Sequence, residues 1–575
     1  MSGAMADPVA AAAPRQALDA ASAALSRGDR DAAEAAYRAG LAVAPDSRPL
    51  LTGLADLLRD ALLTRGVAAM REAVELYRRA LQAAPKDISI LNSLGLALRE
   101  LGELDPAIEI FEAARQIQPQ QPVILCNLGS ALMGAGRPAD AQPLLAEAAR
   151  LAPQDRRINS VHLFSLCQLS GARAEAVVAA HCDWGRRAAA AAAPRRRMPL
   201  NDRDPDRRLR VGYVSPDFRR HSVSSFMEGV IGAHDRRAVE VVCYAEVAVP
   251  DEATARWQKL ADRFLFVCSL DDTALAERVR QDGIDILVDL AGHTANTRLG
   301  AFAEHPAPIQ VEHPIGYAHT TGLPAMDYML TNAWLSPPGT EAMYAEHLFH
   351  LDGPIASFTP AAYMPEVQPS PHLRNGHIRF GCLSRAVKIT DATLEAWGRI
   401  LRALPGSVLA LNYRDFAADG SARRRILAAL ERFHVAPERV DFTYTLQHPH
   451  TLAYYHSLDV YLDTFPNVGG TTTCEALCMG VPVVMLAGET PIRRVGAAWL
   501  GPAGLQELIT ETMDDYVQTA VALALDSDRL RQLRGELRRR FLDAVGDHRR
   551  IAADYEQAYR RMWQAWVRGM AAAGL

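Results

Sequence analysis

Three prolines, Pro85, Pro119 and Pro153, stand 34 residues apart, and other positions keep the same spacing. Gly95 and Gly129 keep it, as do Leu94 and Leu128, Gly102 and Gly136, and the series Ala73, Ala107, Ala141. A large apolar slot runs Tyr77, Phe111, Leu145. A unit of that length holds two short helices and a turn, and it cannot bury its apolar faces alone. Units must therefore stack into a solenoid with a concave groove. Within one unit, LNSLGLALRELGELDPAIEIFEAARQIQP reads as two amphipathic helices joined at Gly102, with the small residues allowing close approach and the proline ending the unit.

This is the tetratricopeptide pattern, expected over residues 15–187 behind a disordered stretch 1–14. An earlier unit ends at Pro45, 40 residues before Pro85, so an insertion near Thr64–Met70 breaks the register. A weaker unit follows Pro153, with Gly171 in the turn slot. Repeat arrays bind rather than catalyse. The groove implies a polypeptide partner, or pairing of two chains through the repeats.

At 575 residues there is room for about three domains of ordinary size. The net charge of -5 carries no basic footprint for nucleic acid, and the run Ala193–Arg197 reads as a solvated linker face. No apolar run approaches the ~20 residues of a membrane helix, and the alanine-rich opening lacks the pattern of a secretion signal. The eight cysteines are scattered without a CxxC pair, and Cys474 and Cys478, one helical turn apart, read as small core residues. Reduced thiols and a cytoplasmic location are expected.

A charged, proline-rich linker, 188–208, separates the array from the rest. Its Asp202-Arg203-Asp204 and Asp204-Pro205-Asp206 imitate a metal-holding DxD but precede the first strand instead of ending one. From Leu209 onward short apolar strands alternate with helices, which indicates parallel α/β sheets. The strands of one half, 209–370, are LRVGYV, AVEVVCYAEV, FLFVCSL, ILVDLAG, IQVEHPIGY, DYMLTN and LFHLDG. Those of the other, 371–545, are IRFGCLS, SVLALNY, RVDFTYT, VYLDTF and VPVVMLA, and a helical end, 546–575, packs back across both. Neither half has GxGxxG after its first strand, and Walker A and GxSxG sequences are absent. Dinucleotide oxidoreductases, P-loop kinases and serine hydrolases are disfavoured.

Ligands of such folds sit beyond the C-terminal ends of the strands. Asp217 and His221 follow LRVGYV, His293 and Thr294 follow ILVDLAG, and Thr320 and Thr321 follow IQVEHPIGY beside His319. Arg385 and Lys388 follow IRFGCLS, and Leu446, Gln447, His448 and His450 follow RVDFTYT. The stretch LDTFPNVGGTTTCEALCMGVPVVMLAGET is a strand end, a glycine–threonine turn, a helix start and a second buried strand, which is the build of a phosphate site. A transferase with a diphosphate leaving group needs such a site plus a cation, and its acceptor hydroxyl needs a base suited to neutral pH.

The blocks RVGYVSPDFRRHSVSSF, PAPIQVEHPIGYAHTTGLPAMDY, SRAVKIT and LDTFPNVGGTTTCEALCMGVPVV resemble the protein O-linked N-acetylglucosamine transferases of glycosyltransferase family 41 and the related SPINDLY-type O-fucosyltransferases. The resemblance covers nearly the whole chain. It implies the GT-B fold behind tetratricopeptide repeats and inverting transfer from UDP-N-acetylglucosamine to Ser or Thr of a protein, with no cofactor and no essential metal. By resemblance His221 is the active-site histidine and Lys388 holds the diphosphate. Thr471 and Thr472, behind Gly469 and Gly470, contact phosphate, Glu475 contacts the ribose, and Gln447 and His450 lie near the nucleobase and ribose. His293, Thr294, Thr320 and Thr321 line the sugar side. The short bridge EVQPSPHLRNG replaces the large domain that animal members insert between the halves. HSVSSF and LDTFPNVGGTTTCEAL read closer to the fucosyltransferase branch, which leaves GDP-fucose or another hexose as the alternative donor. A repeat scaffold with an inactive transferase half is the alternative outside enzymes. Asp217 or a phosphate oxygen competes with His221 as base.

Overall fold

The computed structural model describes residues 8–60, 62–169, 171–417 and 419–569. The chain divides after Ala152 into two compact units, the second holding Pro153–Phe416 and Arg423 onward.

The first unit is a stack of helix pairs: Pro8–Ser26 with Arg30–Val43, Arg48–Arg59 with Leu62–Ala83, Ile88–Glu100 with Leu104–Ile117, and Pro122–Gly134 with Pro138–Leu151. Side-chain caps start several of them, as when Asp87 accepts from the backbone N–H of Ser89 and Ile90. The repeat positions have a direct steric meaning. A Cβ at Gly95 would lie 2.6 Å from the Phe111 ring, and one at Gly129 would lie 2.6 Å from Leu145, so the large residue on the second helix of each unit fills the glycine slot on its first. The expected insertion coincides with a break inside Leu62–Ala83, where Gly66 leaves the helix at φ 74. Of the stretch expected to be disordered, residues 1–7 lie outside the described residues, whereas Pro8 onward already belongs to the helix Pro8–Ser26.

The second unit starts with two helices, Arg156–Cys167 and Ala174–Ala192, whose sequence continues the repeat pattern but which pack within this unit. Trp184, for example, joins a core with Val214, Leu287 and Phe302. A sheet follows, built from β1 (Leu209–Ser215), β2 (Val239–Ala245), β3 (Arg263–Phe266), β4 (Ile286–Asp289), β5 (Ile309–Glu312), β6 (Tyr328–Thr331) and β7 (His347–His350). A second contains β8 (Arg379–Cys382), β9 (Val408–Asn412), β10 (Val440–Thr443), β11 (Val460–Leu462), β12 (Val483–Leu486) and a two-residue β13 (Ile509–Thr510). Every expected strand is present; β13 is additional.

All recorded pairings are parallel, for example Val211 with both Val241 and Ile286. The strand orders are β3-β2-β1-β4-β5-β6-β7 and β10-β9-β8-β11-β12-β13. Each sheet grows outward in one direction from its first strand and then restarts on the other side. The reversal opens a crevice beyond β1 and β4 in the first sheet, and beyond β8 and β11 in the second. Contacts tie the two halves together. Phe226, in the helix Ser222–Ala233 that follows β1, stacks on Trp499 after β12 at 5.0 Å. The helix His548–Val567 returns to the first sheet, where the Tyr555 hydroxyl lies 2.6 Å from His313 and Tyr559 lies 3.2 Å from Tyr213.

The linker's Asp-rich run forms local turns, Asp202 accepting from the backbone N–H of Asp204 and Asp204 from that of Asp206. No helix among the described residues is long and apolar enough to cross a membrane.

Candidate active site

At the second crevice, β11 runs into a turn organised by Asp463. Its carboxylate accepts from the backbone N–H of Gly469 at 2.8 Å and of Thr464 at 2.8 Å. That folds the chain back so that Gly470 precedes the helix Thr471–Cys478, whose start has no side-chain cap. A Cβ at Gly469 would lie 2.6 Å from Thr473 Oγ1 and 3.0 Å from Thr472 Oγ1, so the turn closes only with glycine there. Thr471 and Thr472 are half-buried at the helix start, and Thr473 is buried with a hydroxyl that meets no partner.

Lys388 reaches the same turn from β8. It closes the short turn Ala386–Lys388, and its Nζ donates to the Val468 carbonyl at 2.8 Å. Burial lowers the Lys388 ammonium below the ordinary lysine range, opposed by Asp463. Burial likewise raises Asp463 to about 6, against the pull of Lys388 and the turn's N–H groups. Arg385, half-buried immediately before the turn Ala386–Lys388, has an Nε with no hydrogen-bond partner, and the neighbouring Ala386 N–H is held by Asp415 at 2.8 Å. A cation and an uncapped helix start on one turn form an anion site.

Glu475 lies one turn further along the same helix. Its carboxylate is buried, 2.7 Å from His448 Nε2 and 3.3 Å from the donating Tyr455 hydroxyl. The hydrogen bond to Glu475 raises His448 above its ordinary value, and the ring's Nδ1 lies 2.8 Å from the Tyr363 hydroxyl. The histidine that meets Glu475 is His448. His450 is exposed, with Leu446 and Gln447, at the start of the helix His448–Tyr454.

At the first crevice, His221 sits at the N-cap of Ser222–Ala233 in extended backbone. Its side chain is 39% exposed, and its Nδ1 is 3.4 Å from Asp217 Oδ2. Nδ1 accepts the Val223 N–H at 3.4 Å, which caps the helix. A neutral ring in that arrangement carries its proton on Nε2, so acting as a base at Nε2 requires Nδ1 to give up the cap and turn its proton to Asp217. Burial lowers His221, with Asp217 pulling the other way, and burial raises Asp217. Asp217 thus stands behind the histidine as a positioning partner.

The remaining expected sugar-side residues are not open lining. His293 is 1% exposed, with Nδ1 3.2 Å from Ser160 Oγ and Nε2 2.8 Å from the Thr321 carbonyl. Burial holds its pKa down at about 3. Thr320 and Thr321 are fully buried and donate their hydroxyls to Glu346, which also accepts the Thr321 N–H at 2.8 Å. Thr294 is half-buried and donates to the Ala291 carbonyl at 2.8 Å. The physical reason is shared: these groups are spent on internal partners that burial demands. Glu346, 25 residues beyond Thr321, is the partner that strand-end reasoning misses.

A second missed pair is Asp289 and Glu312, opposite each other at the ends of β4 and β5. Both are fully buried, and burial raises both, Asp289 to about 6. The available signal was an acidic residue closing each of two otherwise buried strands, ILVD and IQVE.

The model of Glycosyl transferase family 41 matches residues 152–357 and 369–551, more than half of the chain. The chain belongs to this family. Tetratricopeptide repeat models match residues 70–122 and 98–163. The chain is 37% identical over 424 residues to the tomato (Solanum lycopersicum) probable UDP-N-acetylglucosamine--peptide N-acetylglucosaminyltransferase SPINDLY, over 72% of this chain and 45% of the relative. It is 38% identical to the Arabidopsis thaliana SPINDLY protein, over 72% of this chain and 46% of that one. The chain therefore spans about half the length of these curated relatives. Among solved structures it is similar to a Thermobaculum terrenum O-GlcNAc transferase variant, with a TM-score of 0.83, 34% identity, and coverage of 98% of this chain and 100% of that one. The repeats followed by two facing parallel sheets are the GT-B architecture expected from the resemblance.

Proposed function

We propose that the chain is an inverting glycosyltransferase that moves N-acetylglucosamine from a uridine diphosphate donor to Ser or Thr of a protein. One observation carries the reading: Lys388 Nζ lies 2.8 Å from the carbonyl of Val468, on the turn that leads into the uncapped helix start at Thr471. A pyrophosphate there meets a cation, backbone N–H groups and the hydroxyls of Thr471 and Thr472, with Arg385 nearby. Positive charge fixed where the leaving group gains negative charge is the largest effect such a site offers. Tight binding at this end also positions the anomeric carbon for attack. The names of the similar proteins, peptide N-acetylglucosaminyltransferases with a UDP-N-acetylglucosamine donor, support this choice of donor.

In the reaction the acceptor oxygen forms a bond to the anomeric carbon from the face opposite the phosphate. The bond from that carbon to the phosphate oxygen breaks, its electron pair leaving with the nucleoside diphosphate. The hydroxyl proton passes to His221, whose protonated form the Asp217 carboxylate, 3.4 Å from Nδ1, favours. Lys388 and the helix start do the work of a metal at the leaving group, so the reading requires none. The repeat unit offers the groove for a protein acceptor, and pairing of two chains through it is the alternative use. Eight free cysteines fit a reducing, cytoplasmic setting.

Calorimetric titration with UDP and with GDP tests the donor. Tight binding of UDP, and release of UDP with a matching mass gain on a peptide acceptor, is the expected result. Tight binding of GDP alone would move the assignment to a fucosyl or other hexosyl donor. Absence of both binding and donor turnover would leave only the scaffold.

A further inference from the structure

Away from the candidate site, three ligand-type side chains from separate segments converge inside the second unit. Cys167 ends the helix Arg156–Cys167, His181 lies in Ala174–Ala192, and His319 belongs to the loop after β5. All three are buried, and their Sγ and ring-nitrogen atoms lie within 4.8 Å of one another. We propose that Cys167, His181 and His319 bind a zinc ion that pins the two leading helices to the loop carrying Thr320 and Thr321.

Four observations support a built site. His319 is 1% exposed, yet neither ring nitrogen meets a hydrogen-bond partner. An imidazole left so deep without partners calls for a ligand. His181 Nδ1 donates to the Val177 carbonyl at 2.7 Å, which fixes Nε2 as an acceptor turned toward the cluster, where it now takes the Tyr317 O–H at 2.7 Å. The Tyr317 hydroxyl lies 2.7 Å from His181 Nε2 and 3.2 Å from Cys167 Sγ, so these two donors face one point, from which the hydroxyl would yield to an ion. Finally, the backbone around the cluster is fixed. A Cβ at Gly185 would lie 1.8 Å from the Gly322 carbonyl oxygen, and one at Gly322 would lie 2.2 Å from the His181 carbonyl carbon. Helix and loop thus touch main chain to main chain beside the donors.

One thiolate and two neutral imidazoles are a set that tetrahedral zinc accepts, with ligand separations of about 3.3–3.7 Å. Reaching that from the present spacing takes a contraction of roughly an ångström and a tilt of the His319 ring out of its stack on His181, where the centroids are 4.8 Å apart. A thiol that becomes a zinc ligand gives up its proton, so binding expels one proton per ion. Such an ion is structural and independent of the transferase reading.

The test uses the full chain without an affinity tag, stripped with a chelator and then dialysed against limiting Zn²⁺ or, as a spectroscopic probe, Co²⁺. The expected result is one retained ion per chain, a higher melting temperature with Zn²⁺, and a near-ultraviolet sulfur-to-cobalt charge-transfer band. Cys167→Ser abolishes the band, and His319→Asn lowers affinity at least tenfold, with folding checked by circular dichroism. A wild-type chain that retains no ion, or that retains one with no thiolate band, overturns the proposal and leaves His319 to a buried water. Retention of the band in Cys167→Ser overturns it as well.

Discussion

The two crevices of the second unit have the same topology and hold different kinds of chemistry. Beyond β8 and β11 the expected groups converge: Lys388 and the Gly469–Thr472 turn meet around the Val468 carbonyl, and Glu475 follows on the same helix. Beyond β1 and β4 they separate. His221 is 39% exposed on its side chain with a carboxylate behind it, while His293 is 1% exposed with both ring nitrogens engaged. Both are strand-end histidines. A strand end brings a residue to the crevice, but the hydrogen bonds it already makes decide whether it is available for chemistry.

The contrast is broken most severely at the leaving group. Lys388→Ala should lower turnover by about 10³-fold, at the upper end of what loss of one preorganised electrostatic group costs. Its melting temperature should stay near wild type, because the ammonium makes one recorded hydrogen bond. Initial rates of UDP release check this, and a near-normal rate would remove Lys388 from the diphosphate. Next, His221→Ala should cost about 10²-fold in kcat, within the range for a general base. His293→Ala, by contrast, should act chiefly through stability, because the ring is a buried, saturated link to Ser160 and Thr321.

Glu346→Ala sharpens the same point. It leaves the Thr320 and Thr321 hydroxyls and the Thr321 N–H without their acceptor, and should destabilise the fold by about 2–4 kcal/mol as buried donors lose a charged partner. Denaturant unfolding measures it.

Smaller effects come from pH. His221 titrates below the ordinary histidine value because it is buried. The neutral base is therefore present at neutral pH and lost as pH falls through its lowered pKa, giving an acid limb in kcat/KM below about 6.5. Asp217→Asn removes the charge that pulls His221 upward, so the limb should move to still lower pH while the rate falls. A limb that moves to higher pH would contradict the pairing. Stability follows the same sign: His293 and His313, held at about 3, and His181, at about 4, stay neutral in the fold. Unfolding exposes them to ordinary protonation, so stability is full above about 6.5 and declines as pH drops toward the folded values.

Repeats and strands were legible because their signals are local. Gly95 under Phe111 and Gly129 under Leu145 hold the 34-residue spacing by contact, and the interrupted register falls at Gly66. The packing of Ala174–Ala192 was not legible, since helical periodicity reports a helix without naming its neighbour. The two-residue β13 is too short to leave a pattern. In the site, the glycine–threonine turn and Lys388 could be read because backbone geometry dictates glycine and a lone cation at a strand end. The pairing of His448 with Glu475 could not be read from spacing, as only the fold brings the residue after β10 to the helix after β11. Glu346 was hidden for the opposite reason: it lies 25 residues from the hydroxyls it holds.

The central claim is a division of labour, with the leaving group held at the β8–β11 crevice and acceptor chemistry performed at His221. Calorimetric UDP affinity of the Lys388→Ala and His221→Ala chains, measured beside wild type, tests it most directly. The account predicts at least a tenfold loss of UDP affinity in Lys388→Ala and affinity within about twofold of wild type in His221→Ala, since one loses a charge contact with the diphosphate and the other does not. Loss of UDP binding in His221→Ala, with binding intact in Lys388→Ala, would contradict it.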